Sequence, residues 1–459
     1  MPKVTVYIPT HNYGRYLKAA IESVLKQTMT DWELLVIDDG STDNTQEVLA
    51  EYENHPLIHI IAQENKGLNV SNNVAIRLSR AKYIMRLDAD DYLDENCLLI
   101  LANILDQKPE VGLVYPDYYH VDEGGEIIEM VRRKKIGEEV ELLDLPAHGA
   151  CSMTRKEIFL NIGSYNEDLT CQDGYELWLK LIQQHKPYNV NLPLFCYRKH
   201  PQSLTQKLEK IHDTRREIKR LFLKKNSHLK PPRVLGVVPI LSASVYPQNR
   251  PFIQLVGRPL IWYTLSQAVE ASSLERIVVA TEDDDTIAYA REHFPTVSCF
   301  RRTGHLSSIG SKHSELLLEI LKDLENREDY RPDAVCTLYI STPLRKTKHI
   351  DQAVDTMTIF DVDTVISIQE ELGPCYHHEK FGLTPINVSN GDTRLERKAI
   401  FKGTGSIILN KKEVVLRGQH LGGKVGHITM LPEESIKINS DFDFWLAEKI
   451  IEEKERNRR

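Results

Sequence analysis

The sequence has little of what marks several classes of protein. Its seven cysteines, in a chain of 459 residues, show no Cys-x-x-Cys spacing, which favours neither a disulfide scaffold nor a zinc site and fits a reducing compartment. No apolar run approaches the roughly 20 residues that span a bilayer, and residues 1–10 lack the pattern of a secretory signal. The formal charge of −8 argues against a dedicated nucleic-acid-binding protein, because such proteins usually carry a basic excess. We therefore expect a cytoplasmic protein without a nucleic-acid partner.

The sequence does contain a repeated alternation of strand-like and helix-like segments. A chain of 459 residues exceeds what one hydrophobic core usually organises. In each of two blocks, short apolar runs alternate with segments of helical periodicity, which is typical of a doubly wound, mostly parallel sheet. The predicted strands cover residues 4–10, 32–40, 59–64 and 83–91 in the first block, and 234–240, 275–281, 334–340 and 363–368 in the second. The expected fold class is α/β with two Rossmann-like domains.

A basic segment separates the two blocks. Residues 207–233 hold ten lysines and arginines against three acidic residues, and apolar residues recur in them at helical spacing. This pattern predicts an amphipathic helix. It is interpreted either as a connecting helix packed on one domain or as a peripheral contact with an anionic membrane surface on the inner face. The predicted domains are thus 1–206, a helical linker at 207–233, and 234–459.

Three carboxylates crowd the end of one predicted strand. In YIMRLDADDYLDE, Asp88, Asp90 and Asp91 fall within four residues, and such charges repel one another unless solvent or a cation neutralises them. Carboxylate oxygens suit a hard cation such as Mg²⁺ or Mn²⁺, which proteins usually hold together with substrate phosphates. The pattern therefore predicts a metal site for a nucleoside diphosphate.

Other polar residues follow the first and second predicted strands. Open α/β sheets bind ligands beyond the carboxyl ends of their strands, so these residues should converge with the three carboxylates. They are Pro9, Thr10, His11, Asn12, Asp38 and Asp39.

Four motifs in the first block carry a resemblance to a known family. IPTHNYGRYLKAAIESVLKQT, ELLVIDDGSTDNT, NKGLNVSNNVAI and YIMRLDADD follow one another in an order and spacing that resemble the family 2 glycosyltransferases with the GT-A fold. The resemblance implies that Asp90 and Asp91 hold the cation on the donor diphosphate, with Asp88 near the ribose or the metal. It also implies that the nucleotide is bound by Pro9, Thr10, Asn12, Asp38 and Asp39.

The resemblance extends to the residues that would complete the reaction. Sugar transfer needs a base that deprotonates the acceptor hydroxyl. In CQDGYELWLKL the matching acidic position is Asp173, with Glu176 as its competitor. FCYRKHPQSLT resembles the closing loop of the family, which implies that Arg198 reaches the nucleotide and His200 the diphosphate and its metal.

These resemblances imply an inverting, Mn²⁺- or Mg²⁺-dependent glycosyltransferase. Its donor would be a nucleoside diphosphate sugar, with UDP-sugar favoured, and its acceptor a glycan or lipid-linked glycan in the synthesis of bacterial surface polysaccharide or glycoconjugate. Residues 115–129 and 142–153 are expected to select the acceptor. Within them Tyr118 and Tyr119 either stack on a sugar or serve the core, and His148 is assigned to the acceptor pocket.

The second block resembles the cytidylyltransferases that make CMP-sialic acid, but parts of their site are missing. The segments VVPILSASVYPQNRPFIQLVGRPL, ERIVVATEDDDTIA, STPLRKTKHIDQAV and LPEESIKINSDFDFWLAE carry the resemblance. Cationic positions of the family's phosphate loop read Leu241 and Val245, and its metal-binding aspartates read Lys437 and Asn439. Loss of these charges removes most of the neutralisation that a triphosphate needs.

Three interpretations of the whole chain stay open. In the first, the C-terminal domain is non-catalytic and pairs the chain into a homodimer, as its family suggests. In the second, the enzyme is bifunctional and also makes a CMP-activated sugar, with a phosphate site rebuilt from residues such as Arg301, Arg302, Arg345 and Lys346. In the third, the protein is a non-enzymatic scaffold that binds sugar nucleotides.

Overall fold

The chain forms two compact units. Met1–Ile218 and Pro374–Lys398 make the first unit, and Lys219–Gly373 and Ala399–Arg459 make the second. The domain ranges drawn from the sequence remain a prediction. The computed structural model describes residues 1–133, 149–169, 173–200, 208–241, 251–307, 312–371, 373, 375–380, 382–386 and 400–456. Of Asp173 and Leu208 it describes only the backbone.

The first unit is built on a mixed sheet of nine strands among the described residues, in the order β3-β2-β1-β4-β8-β6-β9-β5 with β7 paired to β6. The first four are mutually parallel, whereas β8 is antiparallel to both β4 and β6. The strands are β1 Val4–Thr10, β2 Trp32–Asp39, β3 Ile58–Gln63, β4 Tyr83–Arg86, β5 Tyr92–Leu93, β6 Val111–Val121, β7 Ile127–Val131, β8 Met153–Arg155 and β9 Lys186–Arg198.

Helices cover both faces of this sheet. On the face of Val6 and Ile8 the core includes Leu17 and Ile21 of α1, and on the face of Tyr7 it includes Ile76 of α3. The alternation follows from the period of two in a strand, which turns neighbouring side chains to opposite faces. The helices of the first unit are α1 Gly14–Leu25, α2 Thr45–Ala50, α3 Leu68–Leu78, α4 Cys97–Gln107, α5 Lys156–Asn161 and α6 Asp173–Ile182. Helix α7, Leu208–Lys225, begins in the first unit and ends in the second.

The second unit has its own seven-stranded sheet within its described residues, in the order β14-β13-β10-β15-β19-β16-β20. Only β19 runs against its neighbours. The strands of the chain from here on are β10 Val234–Pro239, β11 Gln254–Leu255, β12 Arg258–Pro259, β13 Leu274–Thr281, β14 Ser298–Arg301, β15 Ala334–Thr337, β16 Thr364–Glu371, β17 Tyr376–Glu379, β18 Gly382–Pro385, β19 Ile400–Lys411 and β20 Val425–Thr429. The helices are α8 Leu260–Glu270, α9 Asp284–His293, α10 His313–Glu328, α11 Thr347–Phe360, α12 Lys412–Leu416 and α13 Asp441–Arg456.

The predicted fold class is confirmed. Two α/β sheets with parallel centres form, and each predicted strand of both blocks is present, although β4 ends at Arg86, so the carboxylate segment lies in the loop that follows it. The basic segment forms α7 as predicted. Ile218 and Phe222 are buried, while Arg220 and Lys224 are exposed. Among the described residues, no helix combines the length and the apolar composition needed to cross a bilayer.

Candidate active site

The site lies where the strand order of the first sheet reverses. β1 pairs with β2 on one side, with Thr10 opposite Asp38, and with β4 on the other, with Tyr7 opposite Arg86. The chain leaves β1 for β2 and β3 in one direction and returns to β4 in the other, which opens a crevice beyond the carboxyl ends. The ends of β2, β1 and β4 therefore lie side by side in the sheet, while the shared role of their polar residues stays a prediction.

Asp39 is held by the loop that begins α3. Its carboxylate accepts hydrogen bonds from the backbone N–H groups of Lys66 and Gly67, each at 2.8 Å, and from the Gln63 side chain at 2.7 Å. The side chain is buried. All three donors come from the protein itself, so in this arrangement Asp39 fixes the loop between β3 and α3.

Asp38 points to the opposite face of β2. It accepts a hydrogen bond from the Ser41 N–H at 3.0 Å and another from the Gln46 side chain. Beside it, Thr10 is buried and its hydroxyl has no hydrogen-bond partner within the described part of the chain. A buried hydroxyl without a partner is unfavourable, so Thr10 is the residue of this pair that most needs a ligand or a water.

Asn12 shapes the loop after β2. Its backbone adopts a φ of 60°, a left-handed conformation that asparagine tolerates better than most residues. Its side-chain oxygen accepts the N–H of Thr42 at 2.7 Å. Asp43 in turn accepts the N–H of Gly14 at 3.0 Å. The sequence analysis did not single out Asp43 and Gly14. The signal it offered for this turn was an asparagine directly after a strand, since asparagine tolerates the left-handed conformation.

Each of the three clustered carboxylates has a different partner. Asp88 forms an ion pair with Arg86, with 2.8 Å between its Oδ1 and the Arg86 Nε. Asp90 lies 2.9 Å from the Nε2 of His200. Asp91 is 1% exposed and its Oδ1 accepts the N–H of Arg198 at 2.9 Å.

The buried carboxylate of Asp91 is the electrostatic centre of the site. Burial raises the pKa of Asp91 well above its usual range, and the neighbouring Asp90 and Asp88 raise it further. Its Oδ2 is buried and has no hydrogen-bond partner in the described ranges. Burial and the same carboxylates raise the pKa of Tyr13 to about 12, which places the negative potential at the start of α1.

Arg198 holds the acidic segment in place. Its Nε donates to the Asp90 carbonyl at 3.0 Å, and its Nη1 donates to the carbonyls of Asp122 and Glu123 at 3.2 and 2.7 Å. Its guanidinium also lies over the ring of Tyr16, 4.9 Å from the centroid. The structure therefore places Arg198 beside the metal-binding candidates, with much of its donor capacity engaged by backbone; its predicted contact with the nucleotide stays a prediction.

His200 is packed against two tyrosines. Its ring centroid is 5.7 Å from that of Tyr13 and 5.3 Å from that of Tyr16, and only 1% of its side chain is exposed. The structure thus brings together Asp90 and His200, two residues that the sequence separates by 110 positions. The resemblance had assigned both residues to the metal and the diphosphate; that role stays a prediction.

The donor set fits a divalent cation on a diphosphate. Among the described residues, no three His, Cys, Asp or Glu side chains form a cluster that could by itself hold a metal ion. Mg²⁺ and Mn²⁺ sites for phosphates often use only one or two protein carboxylates, and the Asp91 Oδ2 without a partner supplies one oxygen. Such a cation would neutralise negative charge on a leaving diphosphate.

The backbone of α6 starts beside Gly149, which in turn lies beside Arg86. A Cβ on Gly174 would lie 3.3 Å from the Gly149 Cα, and a Cβ on Gly149 would lie 2.9 Å from the Arg86 Nη2. Since Arg86 pairs with Asp88, the start of α6 is connected to the carboxylate cluster through Gly149 and Arg86. The side chain of Asp173 lies outside the described part, so its assignment as base stays a prediction.

Glu176, the competing base, sits one turn further along α6. It is buried and pairs with Lys180 at 2.7 Å. Lys180 also donates to the Ser164 carbonyl at 2.8 Å. Its Oε1 is thus paired within the helix, whereas its buried Oε2 has no hydrogen-bond partner in the described ranges; its role as the competing base stays a prediction.

The predicted acceptor residues fall into different environments. Tyr118 is buried, with its ring centroid 5.0 Å from that of Phe195, as expected of a core residue. Tyr119 is partly exposed. His148 lies outside the described residues.

In the second unit, the residues proposed to rebuild a phosphate site have protein partners. Arg345 is buried and donates to the Ser406 carbonyl at 2.7 Å and to the Thr264 hydroxyl at 3.0 Å. Arg302 donates to the Leu306 carbonyl at 2.8 Å.

The remaining candidates of that set are also paired. Arg301 forms an ion pair with Asp284 and Lys346 one with Glu434. At the former metal positions, Lys437 and Asn439 are exposed. Asp443 accepts the Asn439 N–H at 3.0 Å at the start of α13, as expected of a helix N-terminal carboxylate. Val245 lies outside the described ranges.

Comparison with known proteins finds a matching family for each half of the chain. The family model "Glycosyl transferase family 2" matches residues 5–163, and the model "Cytidylyltransferase" matches residues 247–450. The chain therefore carries a family 2 glycosyltransferase domain in its N-terminal half and a cytidylyltransferase domain in its C-terminal half.

Individual relatives match the N-terminal half. The chain is 31% identical to chondroitin synthase of Escherichia coli over 232 residues, which are 50% of this chain and 32% of that protein; it thus spans about a third of that relative's length. It is 27% identical over 193 residues to the E. coli UDP-Glc:alpha-D-GlcNAc-diphosphoundecaprenol beta-1,3-glucosyltransferase, covering 42% of this chain and 75% of that enzyme. Among solved structures, S. aureus TarS in complex with UDP-GlcNAc matches with a TM-score of 0.42 and 18% identity, over 48% of this chain and 66% of the other.

Proposed function

We propose that the N-terminal domain transfers a sugar from a nucleoside diphosphate sugar, with UDP as the favoured nucleotide, to a glycan or lipid-linked glycan acceptor of a surface polysaccharide. The observation that carries the proposal is the buried Asp91, whose Oδ2 has no hydrogen-bond partner among the described residues, beside Asp90 and Asp88 at the switch point of the sheet. The E. coli relative that uses UDP-Glc and a diphosphoundecaprenol acceptor supports this donor and acceptor class.

Different residues of the crevice are proposed to bind the nucleoside and the diphosphate. Thr10, Asp38 and the loop fixed by Asp39 form the nucleoside side of the crevice, and Asp90 and Asp91 form the diphosphate side. A divalent cation held there would offset the charge that develops on the leaving diphosphate. Arg198 orients the acidic segment through the Asp90 carbonyl and the Asp91 carboxylate.

Asp173 is proposed as the base that takes the proton of the acceptor hydroxyl. Its backbone starts α6, and the next residue, Gly174, packs against Gly149, which lies beside Arg86, the partner of Asp88; this connection supports the assignment. Attack opposite the leaving diphosphate in a single displacement inverts the anomeric carbon. The proposed reaction is therefore cation-dependent and inverting.

The C-terminal domain is proposed to be a non-catalytic cytidylyltransferase-like module that pairs the chain into a homodimer. Arg302 and Arg345 already donate hydrogen bonds to protein groups, and Lys437 is exposed where the family has a metal-binding aspartate. These observations support the proposal that the domain lacks cytidylyltransferase activity. The residues that would rebuild a phosphate site already bind protein groups, so the bifunctional interpretation ranks second.

The first experiment measures nucleotide release from a panel of UDP-sugars, with Mn²⁺ or with a chelator, for the purified protein and three variants. Asp90→Ala should abolish Mn²⁺-dependent turnover, and Asp173→Asn should keep UDP binding but lose turnover by at least about 100-fold, the scale of general base catalysis. Glu95→Gln, an exposed neighbour in the same segment, is the matched control and should react normally.

Two outcomes would overturn the assignments. Full turnover of Asp90→Ala in the presence of Mn²⁺ would remove the acidic segment from the metal site. A normal rate for Asp173→Asn would move the base elsewhere. Calorimetric titration with CTP and CMP tests the second domain, and heat from an independent CTP site would replace the non-catalytic interpretation by the bifunctional one.

A further inference from the structure

A buried arginine stands directly before the acidic segment. Arg86 is the last residue of β4 and is 7% exposed. Together with aromatic and apolar side chains such as Tyr7, Trp178 and Leu181, it lines a cavity of the first unit. A charge among such neighbours is unfavourable unless it is paired, so Arg86 depends on an ionic partner.

The partner is the first carboxylate of the acidic segment. The Nε of Arg86 lies 2.8 Å from the Oδ1 of Asp88, and its Nη2 donates to the Oδ2 at 3.3 Å. Between them, the Leu87 N–H still donates to the Tyr7 carbonyl at 2.9 Å, so the chain continues its strand pairing past Arg86. Residues i and i+2 of an extended chain project to the same side, which brings the two side chains together. Because two nitrogens face two oxygens, the pair fixes the direction of the carboxylate as well as its distance.

The same guanidinium packs against the loop that leads to β8. Within the described part of the chain, a Cβ added to Gly149 would have the Nη2, Cζ and Nη1 of Arg86 as its nearest atoms, at 2.9, 3.4 and 3.7 Å. The Cys151 N–H donates to the Arg86 carbonyl at 2.7 Å. Both the side chain and the backbone of this arginine therefore contact that loop, and a side chain at position 149 would displace the guanidinium.

Gly149 in turn supports the start of α6. A Cβ on Gly174 would lie 3.3 Å from the Gly149 Cα, so the two backbones are in close contact. Gly174 follows Asp173, the proposed base, whose backbone begins α6. Arg86 is thus linked directly to the acidic segment and, through one glycine, to the first turn of the helix that carries the proposed base.

The other two carboxylates of the acidic segment have different partners. Asp90 lies 2.9 Å from the Nε2 of His200, and Asp91 accepts the N–H of Arg198 at 2.9 Å. Loss of the Arg86 side chain should therefore disturb Asp88 and the start of α6, and leave the proposed cation ligands in place.

We infer that Arg86 is a positioning residue for the transfer reaction. It fixes Asp88 and the start of α6 relative to each other, and so sets the distance between the diphosphate side of the crevice and the base. This inference rests on the proposed function. Such an arrangement matters for the rate because a displacement of about 1 Å among reacting groups can cost roughly 100-fold.

The test measures kcat for nucleotide release with Mn²⁺ and the UDP-sugar that turns over fastest, together with the Kd of UDP in the presence of Mn²⁺. Arg86→Gln should lower kcat by about 10- to 100-fold and change the Kd of UDP by less than about threefold, because Asp90 and Asp91 keep their own partners. Gly149→Ala should also lower kcat, with little loss of stability, because the atoms that its Cβ would displace are at the end of a flexible side chain.

Arg80→Gln is the matched control. It breaks another arginine–carboxylate pair of the first unit, in which the Nε of Arg80 donates to the buried Glu33 at 2.7 Å. Glu33 lies near the start of β2, at the edge of the sheet opposite to the crevice. This variant should lower Tm, because it removes the partner of a buried charge, and leave kcat unchanged.

Wild-type kcat in either Arg86→Gln or Gly149→Ala would overturn the inference. An equal loss of kcat in Arg80→Gln would do the same, because general destabilisation would then explain the effect. A loss of UDP affinity by the same factor as kcat would make Arg86 a donor-binding residue and remove the positioning role. If Arg86→Gln does not fold, Gly149→Ala alone decides. A wild type that releases no nucleotide from any donor refutes the proposed function, and the inference with it.

Discussion

Replacing Asp91 by asparagine should make the metal-free protein more stable. The side chain is 1% exposed, its Oδ1 accepts the Arg198 N–H, and its Oδ2 is without a partner among the described residues. Asparagine keeps the size and the accepting oxygen but removes the charge. Because burial and the neighbouring carboxylates raise the pKa of Asp91, the folded protein binds this proton more tightly than the unfolded chain and loses stability as the pH rises through that pKa. Asp91→Asn removes this loss.

The magnitude follows from the charges that face Asp91. Two carboxylates about 5 Å apart at an effective dielectric constant of about 20 repel by about 3 kcal/mol. Asp88 and Asp90 are 25% and 15% exposed at their side chains and have their own partners, Arg86 and His200, so we expect about a third to a half of this, roughly 1 to 1.5 kcal/mol. For a domain of this size that raises Tm by roughly 2 to 6 °C.

The assay is thermal unfolding at pH 8 in the presence of a chelator, followed by the same measurement with Mn²⁺ and UDP. The wild type should gain about 2.7 kcal/mol from a ligand at 100 times its Kd, whereas Asp91→Asn should gain little, so the order of stabilities reverses. Glu95→Gln is the control for a charge removed from the surface. A variant that is less stable than the wild type in chelator would refute the reasoning, because the buried charge would then be stabilising.

Two further predictions concern stability alone. Gly14→Ala should destabilise the first unit by about 1 to 3 kcal/mol, because a Cβ would lie 2.7 Å from the Thr45 N. A lowered Tm checks this. The control is Gly403→Ala, whose added Cβ would have no atom of the described residues within 4 Å and should leave Tm unchanged. Glu434→Gln should make the stability of the protein depend less on pH under acid conditions. Burial alone would raise the pKa of Glu434, but hydrogen bonds, that of His349 foremost, lower this pKa overall. The wild type should therefore hold this contribution above pH 4.5 and lose it as the pH falls below, while equal acid sensitivity in the variant would contradict the assignment.

The sequence predicts those parts of the fold that depend on local patterns. The wholly buried strand Trp32–Asp39 was evident from its continuous apolar run, and α7 from the helical spacing in a basic segment. The meeting of Thr10 with Asp38 followed from the rule that ligands bind beyond parallel strand ends. Each of these inferences needs only the periodicity of one segment and the geometry common to all such sheets.

The parts that could not be predicted depend on contacts between distant segments. No local pattern joins Asp90 to His200, 110 residues away, and only the family resemblance placed both at one site. The bulge that places Asn191 beside Asp117 depends on the register between β6 and β9. No local pattern encodes a register shift. The hydrogen bonds of Arg198 to the Asp122 and Glu123 carbonyls could not be predicted for the same reason, since that loop is remote in sequence.

The three hydrogen bonds that Asp39 accepts have a consequence for how phosphate charge is balanced. In many α/β proteins the positive end of a helix faces the phosphates of the ligand. Here the backbone N–H groups of Lys66 and Gly67, at the entry to α3, already face a carboxylate of the protein itself, so that helix end is electrically satisfied before any nucleotide arrives. Under the proposed function, the diphosphate then takes its counter-charge from the other side of the crevice, where the proposed cation lies at the acidic segment.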